Sequence, residues 1–196
     1  MRPLRLTAGA VCAAVLLTAC SSGGGGNTIG GQARNAGGTG GGGAVEQLSV
    51  AQRGKPLAVS GTELTGTPWS SSTDAKGKVV VLNVWGSWCG PCQTEFADLQ
   101  KAWTQLKASG QPVVLMGLDY KEGTDTALAT TRERGMTYPS LQYGDGRTVA
   151  ALGGNFKNSP PTTLVLDSQH RVAARVTGPV DSTTLVGLVD DTLSGK

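Results

Sequence analysis

The apolar run Val79-Val80-Val81-Leu82-Asn83-Val84-Trp85 is followed, after Gly86-Ser87, by Trp88-Cys89-Gly90-Pro91-Cys92 and then by a helical pattern of apolar residues. No other feature constrains the fold as much. A continuous apolar run with one polar interruption suits a strand covered on both faces in the middle of a sheet. Phe96, Leu99, Ala102, Trp103 and Leu106 then recur at helical spacing until Gly110-Gln111-Pro112 ends the helix. Two thiols separated by two residues at a strand-to-helix junction read as a redox pair. The unpaired N–H groups and partial positive charge of a helix start favour Cys89 as the thiolate, the form that attacks a disulfide. Cys92 lies one turn further on, so the two sulfurs can close and reopen a small disulfide.

The other two cysteines belong to an address. Arg2 and Arg5 form a basic leader, and Leu6 to Leu17 is an apolar stretch too short to span a bilayer comfortably. Leu17-Thr18-Ala19-Cys20 resembles the lipobox of bacterial lipoproteins, which implies a signal peptide over residues 1–19 and lipidation of Cys20. The alternative is an ordinary secretory signal whose cleavage point lies near a cysteine. Cys12 leaves with the signal and Cys20 carries lipid, so Cys89 and Cys92 alone remain for disulfide chemistry. With a single His170 and no second cysteine pair, no structural zinc site can be built from soft ligands, and no cofactor or metal is expected beyond the redox pair.

Residues 20–48 hold two runs of four glycines and few apolar side chains, and cannot bury enough surface to fold. They are expected to be a flexible tether, with a coil span of roughly 30 Å. Residues 49–196 are of single-domain size. The formal charge of the 196-residue chain is +3, and falls to +1 without Arg2 and Arg5. That balance, with no Lys/Arg cluster, argues against a nucleic-acid partner.

Val113 to Leu118 reads as the next strand, and Thr124 to Arg134 as a helix capped by Thr124. Strand, helix, strand, helix implies parallel crossovers. Thr162 to Leu166 and Val172 to Val176 flank the polar loop Asp167-Ser168-Gln169-His170-Arg171 and suit a hairpin. A last helix runs from Asp181 to Leu193, capped by Asp181 or Ser182, and Pro56 to Trp69 offers one or two short strands around Ser60-Gly61-Thr62.

This order of elements, with Trp88-Cys89-Gly90-Pro91-Cys92 in its place, resembles the thioredoxin fold. Gly77 to Trp85 ahead of it is more similar to the membrane-anchored TlpA/ResA group of thiol-disulfide oxidoreductases. The resemblance implies an α/β fold with a central mixed sheet flanked by helices, here with a short N-terminal β extension. It also implies roles for particular residues. Cys89 is the attacking thiol and Cys92 the resolving one, with Trp88, Gly90 and Pro91 forming the surface that meets a partner. In thioredoxins a buried aspartate on the strand takes the proton of the resolving thiol, and Asn83 stands at that position here. The TlpA/ResA group has instead a glutamate three positions after the second cysteine, which is Glu95. The alternative makes Glu95 a solvated first-turn acid favoured by the helix dipole. Pro161 matches the cis-proline of the fold, against the alternative of a rigid turn with trans bonds. Relatives grip an extended partner through the backbone of the preceding residue; here that is Pro160, which has no N–H to offer. Ala97 replaces a kinking proline of many relatives and predicts a straighter helix.

The expected activity is therefore disulfide exchange at the outer face of the cell membrane by a lipid-anchored monomer, with exported proteins as partners. Gly90-Pro91 is the dipeptide of reducing thioredoxins, whose potentials lie near about −270 mV, against about −120 mV for strongly oxidising relatives. The resemblance points the same way, to cytochrome c maturation with electrons from a membrane thiol carrier. A disulfide-forming oxidase on the same fold is the main alternative. A redoxin-type peroxide reductase is another, but its Pro-x-x-x-Thr-x-x-Cys setting is missing before Cys89. A partner-binding lipoprotein without catalysis is a third. His170 is expected at the surface, Trp85 and Trp103 in the core, and Arg132-Glu133-Arg134 at a solvated helix end.

Overall fold

Each of the seven residues of β4 (Val79–Trp85) is buried, because the strand has a neighbour on either side and a layer on either face. A computed structural model describes residues 42–196. β4 runs parallel to β5 (Val113–Asp119), which runs parallel to the two-residue β6 (Ser140–Leu141). On its other side β4 pairs antiparallel with β7 (Thr162–Leu166), then β8 (Val172–Thr177) and β1 (Ala44–Gln47) follow. The six-stranded order is β1-β8-β7-β4-β5-β6. A separate hairpin of β2 (Ser60–Thr62) and β3 (Pro68–Ser70) supplies the N-terminal extension and leads into the short α1 (Ser71–Asp74), and a second short helix, α4 (Arg147–Ala150), follows β6.

Alternation along β4 sorts its side chains. Val79, Val81 and Trp85 enter a core with Phe96, Leu99 and Leu106 of α2 (Gly90–Ala108) and Leu185, Leu188 and Val189 of α5 (Ser182–Leu193). Val80, Leu82 and Val84 face the opposite core, with Val59, Trp69, Leu152 and Phe156. Asn83 shares the α2 face by the same two-residue period. Gly117 on β5 has no room for more: a Cβ there meets Ser140 Oγ at 2.1 Å and Trp85 Nε1 at 2.7 Å. That space lets Trp85 donate to Ser140 Oγ at 3.2 Å and stack edge-on against Phe96.

The structure departs from the sequence reading in four places. Ala44–Gln47, inside the stretch expected as tether, is a strand, so the fold starts before residue 49. It was hidden because four residues beside a glycine run carry too little pattern to stand alone. α3 (Thr124–Glu133) is entered from Gly123, and Thr124 is its first helical residue rather than the cap. Trp103 is only half-buried against the core, whereas Trp85 is fully inside. His170 is buried rather than at the surface. Asp167 Oδ1 accepts the N–H groups of Gln169 and Arg171, both at 2.9 Å, and the tight turn carries the His170 ring inward, Nε2 3.0 Å from the Ala75 carbonyl. Arg53 and Arg171 pair with the same Asp167 at 3.2 and 2.8 Å. Residues 1–41, which include Cys20, the signal peptide and most of the tether, lie outside the described residues.

Candidate active site

β4 ends at the sheet edge where α2 begins, and Cys89 is the N-cap of that helix. Cys89 and Cys92 are joined in a disulfide with Cα atoms 5.2 Å apart, and the Cys92 N–H points at Cys89 Sγ at 3.2 Å. Pro91 sits in the first helical turn, where its missing N–H leaves no partner wanting. Cys89 is 4% exposed and Cys92 fully covered, so a partner reaches Cys89 first. Gly90 and Pro91 are exposed beside it.

The turn that presents Cys89 is held from two sides. Glu122 accepts the Ser87 N–H at 2.7 Å and the Ser87 hydroxyl, while Gln93 Nε2 donates to the Ser87 carbonyl at 2.6 Å. Trp88 lies 54% exposed and donates its indole N–H to the Tyr120 carbonyl at 3.0 Å. Gly86 is needed for that approach, since a Cβ there meets Trp88 Nε1 at 2.7 Å. Ser87, Gln93, Tyr120 and Glu122 were not singled out from sequence: these contacts join segments up to 35 residues apart, and no local pattern marks them.

Glu95, three positions after Cys92 on α2, is only 2% exposed. Oε1 accepts Asn83 Nδ2 at 2.8 Å and Oε2 accepts the Val180 N–H at 3.0 Å. Asn83 also donates to Thr163 Oγ1 at 3.0 Å, and its own Oδ1 has no hydrogen-bond partner. Burial pushes the Glu95 carboxyl up to about 7, against the pull of the bonds from Asn83 and Val180, with the charge of Asp98 adding to the rise. A carboxyl balanced near neutrality can both take and return a proton. Tyr138 is buried with an unpartnered hydroxyl, pushed well above its usual range by burial and by the charge of Glu95. Asp119, buried at the end of β5, is raised by its own burial and by Glu122 beside it.

Thr162 pairs with Val84, the penultimate residue of β4, so Pro160-Pro161 comes to the sheet edge from which the cysteine turn departs. The Pro160–Pro161 bond is cis, and the Pro161 carbonyl accepts the Gly178 N–H at 2.9 Å. α2 runs unbroken past Ala97. Arg132, Glu133 and Arg134 are exposed at their helix end, and Arg134 donates from there to Gln93 Oε1 at 2.6 Å. Among the described residues no three His, Cys, Asp or Glu side chains converge to hold a metal ion. No helix among them is long and apolar enough to cross a membrane.

A disulfide capping the helix that leaves the central strand of this mixed sheet, with a cis-proline brought to the same edge, defines the redox-active class of the thioredoxin fold. The chain belongs to the AhpC/TSA family, whose profile matches residues 55–175. It is 31% identical over 138 residues to the thiol:disulfide interchange protein DsbE of Pseudomonas aeruginosa, covering 69% of this chain and 72% of the relative. Over 107 residues it is 30% identical to the thiol-disulfide oxidoreductase ResA of Bacillus subtilis, covering 54% and 56%. The crystal structure of a DsbF homologue from Corynebacterium diphtheriae superposes with a TM-score of 0.66 at 33% identity, over 75% of this chain and 92% of that one. Peroxide-reducing domains share the fold, yet Leu82 and Gly86 occupy the places of their proline and threonine.

Proposed function

We propose that this protein is an extracytoplasmic thiol-disulfide oxidoreductase that reduces disulfides of exported proteins, as in cytochrome c maturation. In the reduced protein, the Cys89 thiolate attacks a partner disulfide, one partner sulfur leaves as a thiolate, and a mixed disulfide forms. Glu95 then takes the Cys92 proton, the Cys92 thiolate attacks Cys89 Sγ, and the second partner thiol is released. Two electrons pass to the partner and the Cys89–Cys92 disulfide closes, to be reopened by a membrane thiol carrier. Lipidated Cys20 and the glycine tether hold the domain at the membrane.

The observation that carries this reading is the buried Glu95, tied to Asn83 and Val180 one helical turn beyond Cys92. Burial leaves a resolving thiol slow to ionise, and a near-neutral carboxyl on the same helix face answers that need. Trp88, Gly90, Pro91 and Pro160, with the buried Pro161 next to it, meet the partner, with one backbone hydrogen bond fewer than relatives offer, because Pro160 lacks the N–H.

Single-turnover kinetics test the mechanism. Glu95→Gln slows the resolving step more than the first attack; equal effects on both steps remove Glu95 from it. The reduction potential of the Cys89/Cys92 pair and its state in the cell test the direction. A low potential and a mostly reduced pair fit the reductase, while a high potential and a standing disulfide assign an oxidase instead. Labelling with a radioactive fatty acid that is lost in Cys20→Ser tests the anchor.

A further inference from the structure

Glu95 is buried from bulk water, but it forms the floor of a small cleft of about 150 Å³ that opens between α2 and the turn before α5. Gly42, Thr94, Asp98, Pro179, Val180 and Asp181 complete its walls, and none of these residues is a cation. Asp98 stands one turn beyond Glu95 on the same helix and is half-buried. Its Oδ1 accepts the Ser182 N–H at 3.2 Å, and no ion pair engages it among the described residues. Asp181 also lines the cleft, but its two oxygens are taken by the Thr184 N–H at 2.9 Å and the Thr184 hydroxyl at 2.7 Å. From the protein side Tyr138 faces Glu95 as a neutral phenol, and Asn83 and Val180 offer N–H groups without charge.

From this arrangement we infer that Asp98 is a positioning residue that, from the same helix face, helps to hold the proton on Glu95. The inference rests on Glu95 serving as proton acceptor for Cys92. The physical case is short. An uncompensated negative charge next to a carboxyl disfavours the second charge and keeps the proton on it. The cleft admits water and salt, so this influence is screened as ionic strength rises. Asp181 can contribute in the same sense, but it lies across the cleft and its charge is already shared with Thr184. Asp98 alone joins Glu95 on one helix face with an oxygen left over after accepting the Ser182 N–H.

Asp98→Asn is the decisive variant because the amide oxygen can still accept the Ser182 N–H while the charge is gone. Carboxyl NMR of Glu95 in the oxidised full-length protein should show its midpoint moving down. A fall of about half a pH unit multiplies the ionised fraction at about pH 6 roughly threefold. In the unmodified protein, added salt should move the same midpoint down, and in Asp98→Asn it should move it much less. The pH profile of the resolving step should follow the NMR midpoint. A midpoint that responds neither to Asp98→Asn nor to salt overturns the inference. A midpoint that moves while the resolving rate keeps its old pH profile upholds the role of Asp98 and refutes Glu95 as the base. Where Asp98→Asn folds poorly, the salt titration of Asp181→Asn keeps the test intact: with Asp98 the one carboxylate left beside Glu95 in the cleft, a midpoint that still falls with salt upholds the inference and one that does not overturns it.

Discussion

Replacing Glu95 by Gln should change how stability depends on pH, and the size of the change follows from the burial of the site. The folded carboxyl titrates at about 7, against 4.5 when exposed. A raised pKa means that the folded state holds its proton more tightly than the unfolded chain does. The resulting stabilisation is complete below about pH 4.5, declines as pH rises, and is lost above about 7. At about 1.4 kcal/mol per unit, the loss amounts to about 3 kcal/mol. A glutamine does not titrate, so its protein escapes that decline. The site can also accept the amide: Asn83 Oδ1 lacks a partner, and a turned Asn83 can receive the new N–H while the Val180 N–H keeps its acceptor. Unfolding by urea, followed by tryptophan fluorescence with the disulfide kept closed, should show Glu95→Gln gaining on the unmodified protein by about 3 kcal/mol between about pH 4.5 and pH 8. A difference between the two proteins that stays constant across that range refutes the argument, since it would mean Glu95 titrates alike in both states.

Asp119→Asn should flatten the remaining fall in stability on the alkaline side, because Asp119 too is raised by burial and by Glu122; an unchanged slope of unfolding midpoint against pH would count against it. Gly117→Ala should cost about 1–3 kcal/mol by overpacking against Ser140 and Trp85, and Ser140→Gly in the same chain should recover part of it. A Gly117→Ala protein with an unaltered urea midpoint would show that the contact yields freely. Pro160→Thr should raise the yield of trapped mixed disulfide with peptide substrates in a Cys92→Ala background, by restoring a backbone donor. Equal trapping with either residue would show that this N–H plays no part.

The junction of β4 and α2 was legible because strand and helix periods meet at the cysteine pair, and both are local signals. The hairpin of β7 and β8 and the Asp181 cap on α5 were legible for the same reason, with Asp181 receiving the Thr184 N–H at 2.9 Å. What stayed hidden depends on distant partners. Glu95 could be placed on a helix from sequence, but its burial depends on Val180, 85 residues away, and on Asn83 pointing to the α2 face. His170 read as a loop residue because the Asp167 turn that carries it inward has no hydrophobic signature. The Ser87 clamp was equally silent: serine, glutamine and glutamate are ordinary surface residues until the fold brings them together.

β1 lies along β8 in register from Ala44 opposite Thr177 to Gln47 opposite Ala174, and Glu46 pairs with Arg175 at 3.3 Å. Among the described residues this segment, continued by the Leu48 N–H to the Ala173 carbonyl at 2.8 Å, covers the outer edge of the mostly apolar strand Val172–Thr177. A chain shortened to residue 49 would retain both cysteines and the Asn83 and Val180 groups that bond Glu95, yet it would bare a row of unpaired N–H and C=O groups. Such a rim is a template for another copy. Without Ala44–Gln47 the shortened protein should therefore form concentration-dependent dimers or aggregates while its disulfide chemistry persists.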